Sequence, residues 1–287
     1  MTKIRTLTAL ILAPIAIAAI LLLPTPWLAA LAAVVFLAGL WEWFKLAEID
    51  DTLSRTVLLL VNLLLMVALV WASRSTAGGS LVLFQLATVV GVIWWLLAAL
   101  WLKHYSFASD HDTHARVFKL AASSLAVVPA WCALGLIHAS DPTPSVLGGI
   151  PKGHLWLLTA LMIVWAADSG AYFVGRRFGK HKLSPRISPN KTVEGLLGGL
   201  LAGVAVGIAG GLLAGAAPAQ LPWVALVALL AVAASVIGDL YESLLKRHVG
   251  AKDSSNLLPG HGGILDRVDG VLAALPVFAL GKAWLGF

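Results

Sequence analysis

The chain has little charge and almost no cysteine: of 287 residues, 12% are Asp, Glu, Lys or Arg, and one is Cys. That lone thiol, Cys132, excludes an internal disulfide, and its place in an apolar run reads as a small buried hydrophobe. No RNA-binding or DNA-binding motif accompanies the net charge of +6, so the basic balance does not point to nucleic acid. The first apolar run, from about Thr6 to Leu23, follows Lys3 and Arg5 as a secretory leader would, yet it ends in Pro24-Thr25-Pro26-Trp27 without a small-residue cleavage site. It reads as a retained signal anchor.

What is abundant is apolar length. The chain is 60% hydrophobic, with a mean hydropathy of +0.91 and 12 Trp. Nine segments long enough to cross a bilayer can be drawn, at roughly 6–23, 27–41, 56–72, 81–101, 117–138, 154–175, 192–216, 222–245 and 270–286. The expected fold is therefore an all-α polytopic membrane protein with about nine transmembrane helices. With the N-terminus placed in the cytoplasm, only Arg74, Lys152 and Lys282 of the 20 Lys and Arg fall on the far side. Such a bias follows the positive-inside rule, and with anionic headgroups it accounts for the net charge. It puts the polar loops on the cytoplasmic side of an integral membrane protein.

Residues 1–151 read as a membrane body and 152–287 as the region that carries chemistry. In the first part, Trp41, Glu42, Trp43, Phe44 and Lys45 form an interfacial girdle, while Trp94, Trp95, Trp101 and Trp131 read as anchoring and lipid-facing bulk. His104, His111 and His114, with Asp110 and Asp112, read as a solvated loop rather than a metal site. In the second part, Gly199, Gly203, Gly207, Gly211 and Gly215 recur every fourth residue, a stripe for close helix packing within the protomer or between two.

Charge then concentrates between Asp239 and Asp269. Asp239 and Glu242 are three apart near the end of the eighth segment, with Ser243 and Lys246 close by. A carboxylate at that depth needs a cation, a partner or a polar cavity. A Glu242 to Lys246 pair would satisfy the first carboxylate; Asp239 has no basic residue one turn away. Asp266 and Asp269 share a face if the last helix begins near Leu265, and capping explains one of them. The preceding Gly262 and Gly263 would let backbone N–H groups approach an anion. Asp239, Asp266 and Asp269 offer hard oxygen ligands suited to Mg²⁺, with a second cation left open, and His261 can orient a bound water or a phosphate. Lys246, Arg247, Lys252 and Arg267 are cations for phosphate. A second constellation runs from Asp168, an intramembrane carboxylate beside Ser169, to Asn190 and Lys191 at a helix start, a natural seat for phosphate.

The order Ser243, Lys246, Arg247, Lys252, Asp253, Ser255, Leu258, Pro259, His261, Gly262, Gly263, Asp266, Arg267, Asp269 closely resembles the signature of the phosphatidate cytidylyltransferases, the CDP-diacylglycerol synthases. The resemblance implies the condensation of CTP with phosphatidic acid to CDP-diacylglycerol and pyrophosphate in phospholipid biosynthesis. The residues alone reach only a metal-assisted phosphate enzyme in a membrane. On the joint reading, Asp239, Asp266 and Asp269 hold the metal, the four cations meet phosphates, and Asp168, Ser169, Asn190, Lys191, Gly262 and Gly263 form the substrate side. The expected setting is a prokaryotic plasma (inner) membrane with the site facing the cytoplasm, and a homodimer is open. Two rivals were weighed. A CTP-dependent lipid-alcohol kinase would release CDP instead, and a cation-coupled transporter would show an inverted repeat that is not evident here.

Overall fold

A computed structural model describes residues 2–75, 79–255, 257 and 262–287, with backbone alone at 2–9, 11 and 75. The signature positions Leu258, Pro259 and His261 lie outside the described residues. Among the described residues nine α-helices follow in order: α1 (Thr2–Leu22), α2 (Thr25–Leu46), α3 (Thr52–Ser75), α4 (Val82–Trp101), α5 (Thr113–Ala139), α6 (Lys152–Phe178), α7 (Val193–Leu213), α8 (Leu221–His248) and α9 (Leu265–Leu285). Helices α2 to α9 are each long and apolar enough to cross a membrane, and α1 has an apolar stretch over Leu12–Leu22. All nine expected segments are present. Most extend a few residues beyond the apolar runs, because charged and polar residues at their ends continue the helical hydrogen bonding.

The start signals are local. Asp112 accepts from Ala115 N at 2.7 Å to cap α5, and Thr192 accepts from Gly195 N at 3.1 Å to cap α7. The stretch between α6 and α7, which sequence alone leaves as a loop, folds into an antiparallel hairpin of β1 (Lys182–Ser184) and β2 (Ser188–Thr192).

Helix α9 is the hub, touching α2, α4, α5, α6 and α8. Its surroundings correct the reading of the tryptophans. Trp94, Trp95, Trp101 and Trp131 are buried, and so are Trp43 and Phe44 of the supposed girdle. The rings of Trp43, Trp94, Trp95 and Trp101 enclose Tyr241 of α8 with centroid separations of 4.9–5.9 Å. The indole of Trp95 donates to Leu272 O on α9 at 3.1 Å. Packing these large rings against one another fills the space where the helices diverge, a use that sequence position does not separate from lipid exposure. Lipid-facing bulk comes instead from α3, whose Leu53, Leu60, Leu64 and Trp71 are exposed.

The glycine stripe is spent inside the protomer. A Cβ on Gly199 would stand 2.8 Å from Ala167 O of α6, and one on Gly207 would stand 2.6 Å from Ala228 Cβ of α8. The helix ends before Gly215, whose φ of +92° makes it a turn residue instead.

Helix ends sort into two faces. On one, Arg247 Nε donates to Ile187 O at 3.1 Å and His248 Nε2 to Tyr105 O at 2.7 Å, joining the hairpin, the α4–α5 loop and the end of α8. His111 Nδ1 lies 2.5 Å from Glu48 of the α2–α3 turn on this same face. On the other, His138 Nε2 donates to Ile20 O at 2.9 Å and Gln220 Nε2 to Gly286 O at 2.7 Å. The loops expected on one side of the membrane are thus neighbours.

Candidate active site

The centre of the site is the approach to α9. An N-terminal turn leaves backbone N–H groups without helical acceptors, and here a carboxylate from far along the chain supplies them. Glu42 of α2, 3% exposed, accepts from Ile264 N at 3.0 Å and Leu265 N at 2.7 Å. It also accepts from Ser254 Oγ at 2.9 Å and Ser255 Oγ at 2.6 Å. Sequence reasoning assigned Glu42 to an interfacial girdle and missed it. The signal was available: a carboxylate in an apolar helix is costly unless partnered, the rule that singled out Asp168.

Asp266 organises the same loop from inside. Its Oδ2 accepts from Gly263 N at 2.7 Å, Ser254 N at 3.0 Å and Ser254 Oγ at 2.8 Å, and its Oδ1 meets Lys246 Nζ at 2.7 Å. Gly263 brings its backbone N–H to an anion, but the anion is the protein's own. A Cβ on Gly263 would run into Ser254 Oγ and Glu42 Oε2, while Gly262 has φ of +81° and passes close over Asp266 Oδ2.

Lys246 continues the network to Glu242, 2.5 Å away, whose side chain is only 2% exposed. The expected pair therefore forms, yet it does more than close a helix end, since the same ammonium ties α8 to Asp266 of α9. Asp239 is one turn earlier on α8. Its carboxylate carries an ion pair with Lys191 from the end of the hairpin and a 3.4 Å contact from Ser243 Oγ. Asp168 and Asp269 both lie within electrostatic reach of Asp239, with Lys191 the cation acting on both and Arg267 acting on Asp168.

This arrangement corrects the expected metal set. Asp239, Asp266 and Asp269 do not converge, and among the described residues no group of three His, Cys, Asp or Glu side chains stands in ligating array. The reason is geometric: Asp266 faces Lys246 and its own loop, whereas Asp269 lies where α9 crosses α8 at Gly238. The carboxylates that line the neighbouring cavity are Asp168 and Asp239. Two hard carboxylates, with phosphate and water, fit Mg²⁺; Asp266, engaged by four donors, does not.

Beside Asp239 opens a cavity of about 570 Å³, whose polar lining includes Asp168, Tyr172, Arg176, Asn190, Lys191 and Asp239. Ala167, Leu196, Val232 and Val236 are among its apolar lining. Arg176 is held by a 2.9 Å hydrogen bond to Tyr172 Oη. The structure thus gathers Asp168, Asn190, Lys191 and Asp239 around one space. Ser169 is not in that lining; its hydroxyl donates to Trp165 O one turn back at 2.9 Å. Arg247 spends its guanidinium on Ile187 O and Ala251 O, bracing two loops, and Lys252 and Arg267 are exposed. Glu194 turns to Lys180 N and to His181, fastening the hairpin.

A helical membrane body with a charged, carboxylate-lined chamber opening at one face defines a membrane-embedded enzyme that handles anionic ligands. The chain belongs to the cytidylyltransferase family, whose model matches residues 3–283. It is 41% identical over 279 residues to the phosphatidate cytidylyltransferase of Pseudomonas aeruginosa, covering 97% of this chain and 96% of the relative. It is 34% identical to that of Haemophilus influenzae over 286 residues, 97% and 98% of the two chains. With that of Bacillus subtilis it shares 47% identity over 128 residues, 43% of this chain and 46% of the relative.

Proposed function

We propose that the protein is a phosphatidate cytidylyltransferase, joining CTP and phosphatidate to give CDP-diacylglycerol and pyrophosphate. The observation that carries this reading is one cavity lined both by Asp168, Arg176, Lys191 and Asp239 and by apolar side chains. An anionic headgroup with hydrocarbon attached calls for both kinds of lining.

In the reaction, a phosphate oxygen of phosphatidate attacks the α-phosphorus of CTP while the bond to the bridging oxygen of pyrophosphate breaks. A phosphate monoester, with its second pKa near 6, is largely ionised at neutral pH, so the chain need not supply a strong base. Its task is to hold two anions together in line and to offset charge that grows on the leaving pyrophosphate. Lys191 and Arg176 both line the cavity and would bind phosphate oxygens there. Lys246 fixes Asp266, and with it the loop at the start of α9. Asp168 and Asp239, the carboxylates of the cavity lining, would hold Mg²⁺, which would supply Lewis-acid stabilisation of phosphate charge. The exposed cationic loops gathered on one face support a cytoplasmic orientation in a bacterial plasma membrane.

The test is purified protein in mixed micelles with phosphatidate and CTP labelled at the α-phosphorus, with and without Mg²⁺. Label in a metal-dependent CDP-lipid is the expected result. Label released as soluble CDP would replace this reading with a kinase.

A further inference from the structure

We infer that Glu42, in the half of the chain without signature residues, is a positioning residue for the reaction, acting through the loop that leads into α9. The inference rests on the cytidylyltransferase reading above. The geometry is unusually complete. An ionised carboxylate is an acceptor with four favourable lone-pair sites and no donor, and Glu42 meets four donors, two on each oxygen. Oε1 takes Ser255 Oγ and Ile264 N, and Oε2 takes Ser254 Oγ and Leu265 N. Those donors come from the middle of the loop between α8 and α9 and from its junction with α9. One side chain on α2 therefore ties the middle of the loop to the start of α9.

The link to the reacting groups is Ser254. Its hydroxyl lies 2.9 Å from Glu42 Oε2 and 2.8 Å from Asp266 Oδ2. A hydroxyl has one proton, so it serves these carboxylates one at a time and couples their positions. Asp266 in turn holds Lys246 at 2.7 Å, and Lys246 holds Glu242 on the helix that carries Asp239. A displaced Glu42 would pass through Ser254 to Asp266 and Lys246 without touching substrate. A purely structural cap would need only the two backbone donors; the two serine hydroxyls tie the middle of the loop as well.

Glu42→Gln tests this, because each Glu42 oxygen faces a backbone N–H and either placement of the amide sets an NH₂ against a donor. The expected result is kcat lowered by about 10- to 100-fold, the scale of a small misplacement of reacting groups, with KM for CTP within about threefold of the original. Amide exchange at Gly263, Ile264 and Leu265 should accelerate while the remaining helices keep their protection. If Glu42→Gln does not fold, Ser255→Ala decides: it deletes one donor and is expected to lower kcat by about 3- to 10-fold, again without moving KM. A folded Glu42→Gln protein with unaltered kcat, or exchange at 263–265 that does not change, overturns the inference. An unsubstituted protein that makes no CDP-lipid overturns the reaction assignment instead, and the exchange measurement still decides whether Glu42 holds the loop.

Discussion

Lys191 pairs with Asp239 across 48 residues of sequence, from the last turn of the hairpin to the penultimate stretch of α8. The pair is partly open, with side-chain exposures of 27% and 33%, and it forms part of the cavity lining. A pair this accessible contributes little to stability, about 1 kcal/mol or less. Both side chains line the cavity, and on the cytidylyltransferase reading the ammonium would exchange Asp239 for an entering phosphate.

Lys191→Ala is therefore expected to leave thermal unfolding in detergent within a few degrees of the unsubstituted protein while cytidylyl transfer falls at least tenfold. Loss of one preorganised cation from a developing charge commonly costs that much or more. Parallel melting curves and initial rates check it. Near-normal turnover in this variant would remove Lys191 from the phosphate-binding role.

The second lysine should behave in the opposite way. Lys246 is 2.5 Å from Glu242 and 2.7 Å from Asp266, and all three side chains are largely buried. Lys246→Met leaves two carboxylates facing each other without a cation, which for a buried network costs about 3–5 kcal/mol. Adding Glu242→Gln should recover part of that loss, so the double variant should be more resistant to denaturant than Lys246→Met alone. If the two losses simply add, the network is not the energetic unit that the distances describe.

How far the sequence disclosed this arrangement depends on the range of each contact. The helical segments and the gathering of cationic loops followed from apolar length and charge bias, both local properties. Asp168 and Asp239 stood out because carboxylates inside apolar helices demand a reason, and they do share a cavity with Asn190 and Lys191. Three-residue spacing placed Asp266 and Asp269 on one helix face but said nothing about which neighbour each would meet, so the expected common metal set failed. Glu42 was hidden by distance: its contact with Leu265 spans 223 residues. The tryptophans misled because helical period does not distinguish a wall of packed rings from a surface in lipid.

A third expectation separates glycines that are needed for space from those needed for backbone shape. Gly263 has Ser254 and Glu42 against it, whereas Gly250, with φ of +66°, has nothing within 4 Å. Gly263→Ala should push the loop off Glu42 and reduce turnover by tenfold or more, the cost of misplacing groups by about 1 Å. Gly250→Ala should cost only about 1–2 kcal/mol of left-handed backbone strain and leave the rate near normal. Equal effects on rate would mean that crowding at Gly263 is relieved elsewhere.

Sidedness is open to a direct chemical reading because the native background is silent. Cys132 is fully buried, so a maleimide that cannot cross membranes should not label the unsubstituted protein. Arg186 lies exposed at the turn of the hairpin, on the face with the cavity, and Val146 is 67% exposed in the loop between α5 and α6 on the opposite face. In intact bacteria, Val146→Cys is expected to react and Arg186→Cys to react only after the membrane is opened. The positive loops and the cavity would then face the cytoplasm, where CTP is made. The reverse labelling pattern would put the cavity on the side without nucleotide, and the cytidylyl-transfer reading could not stand in that orientation.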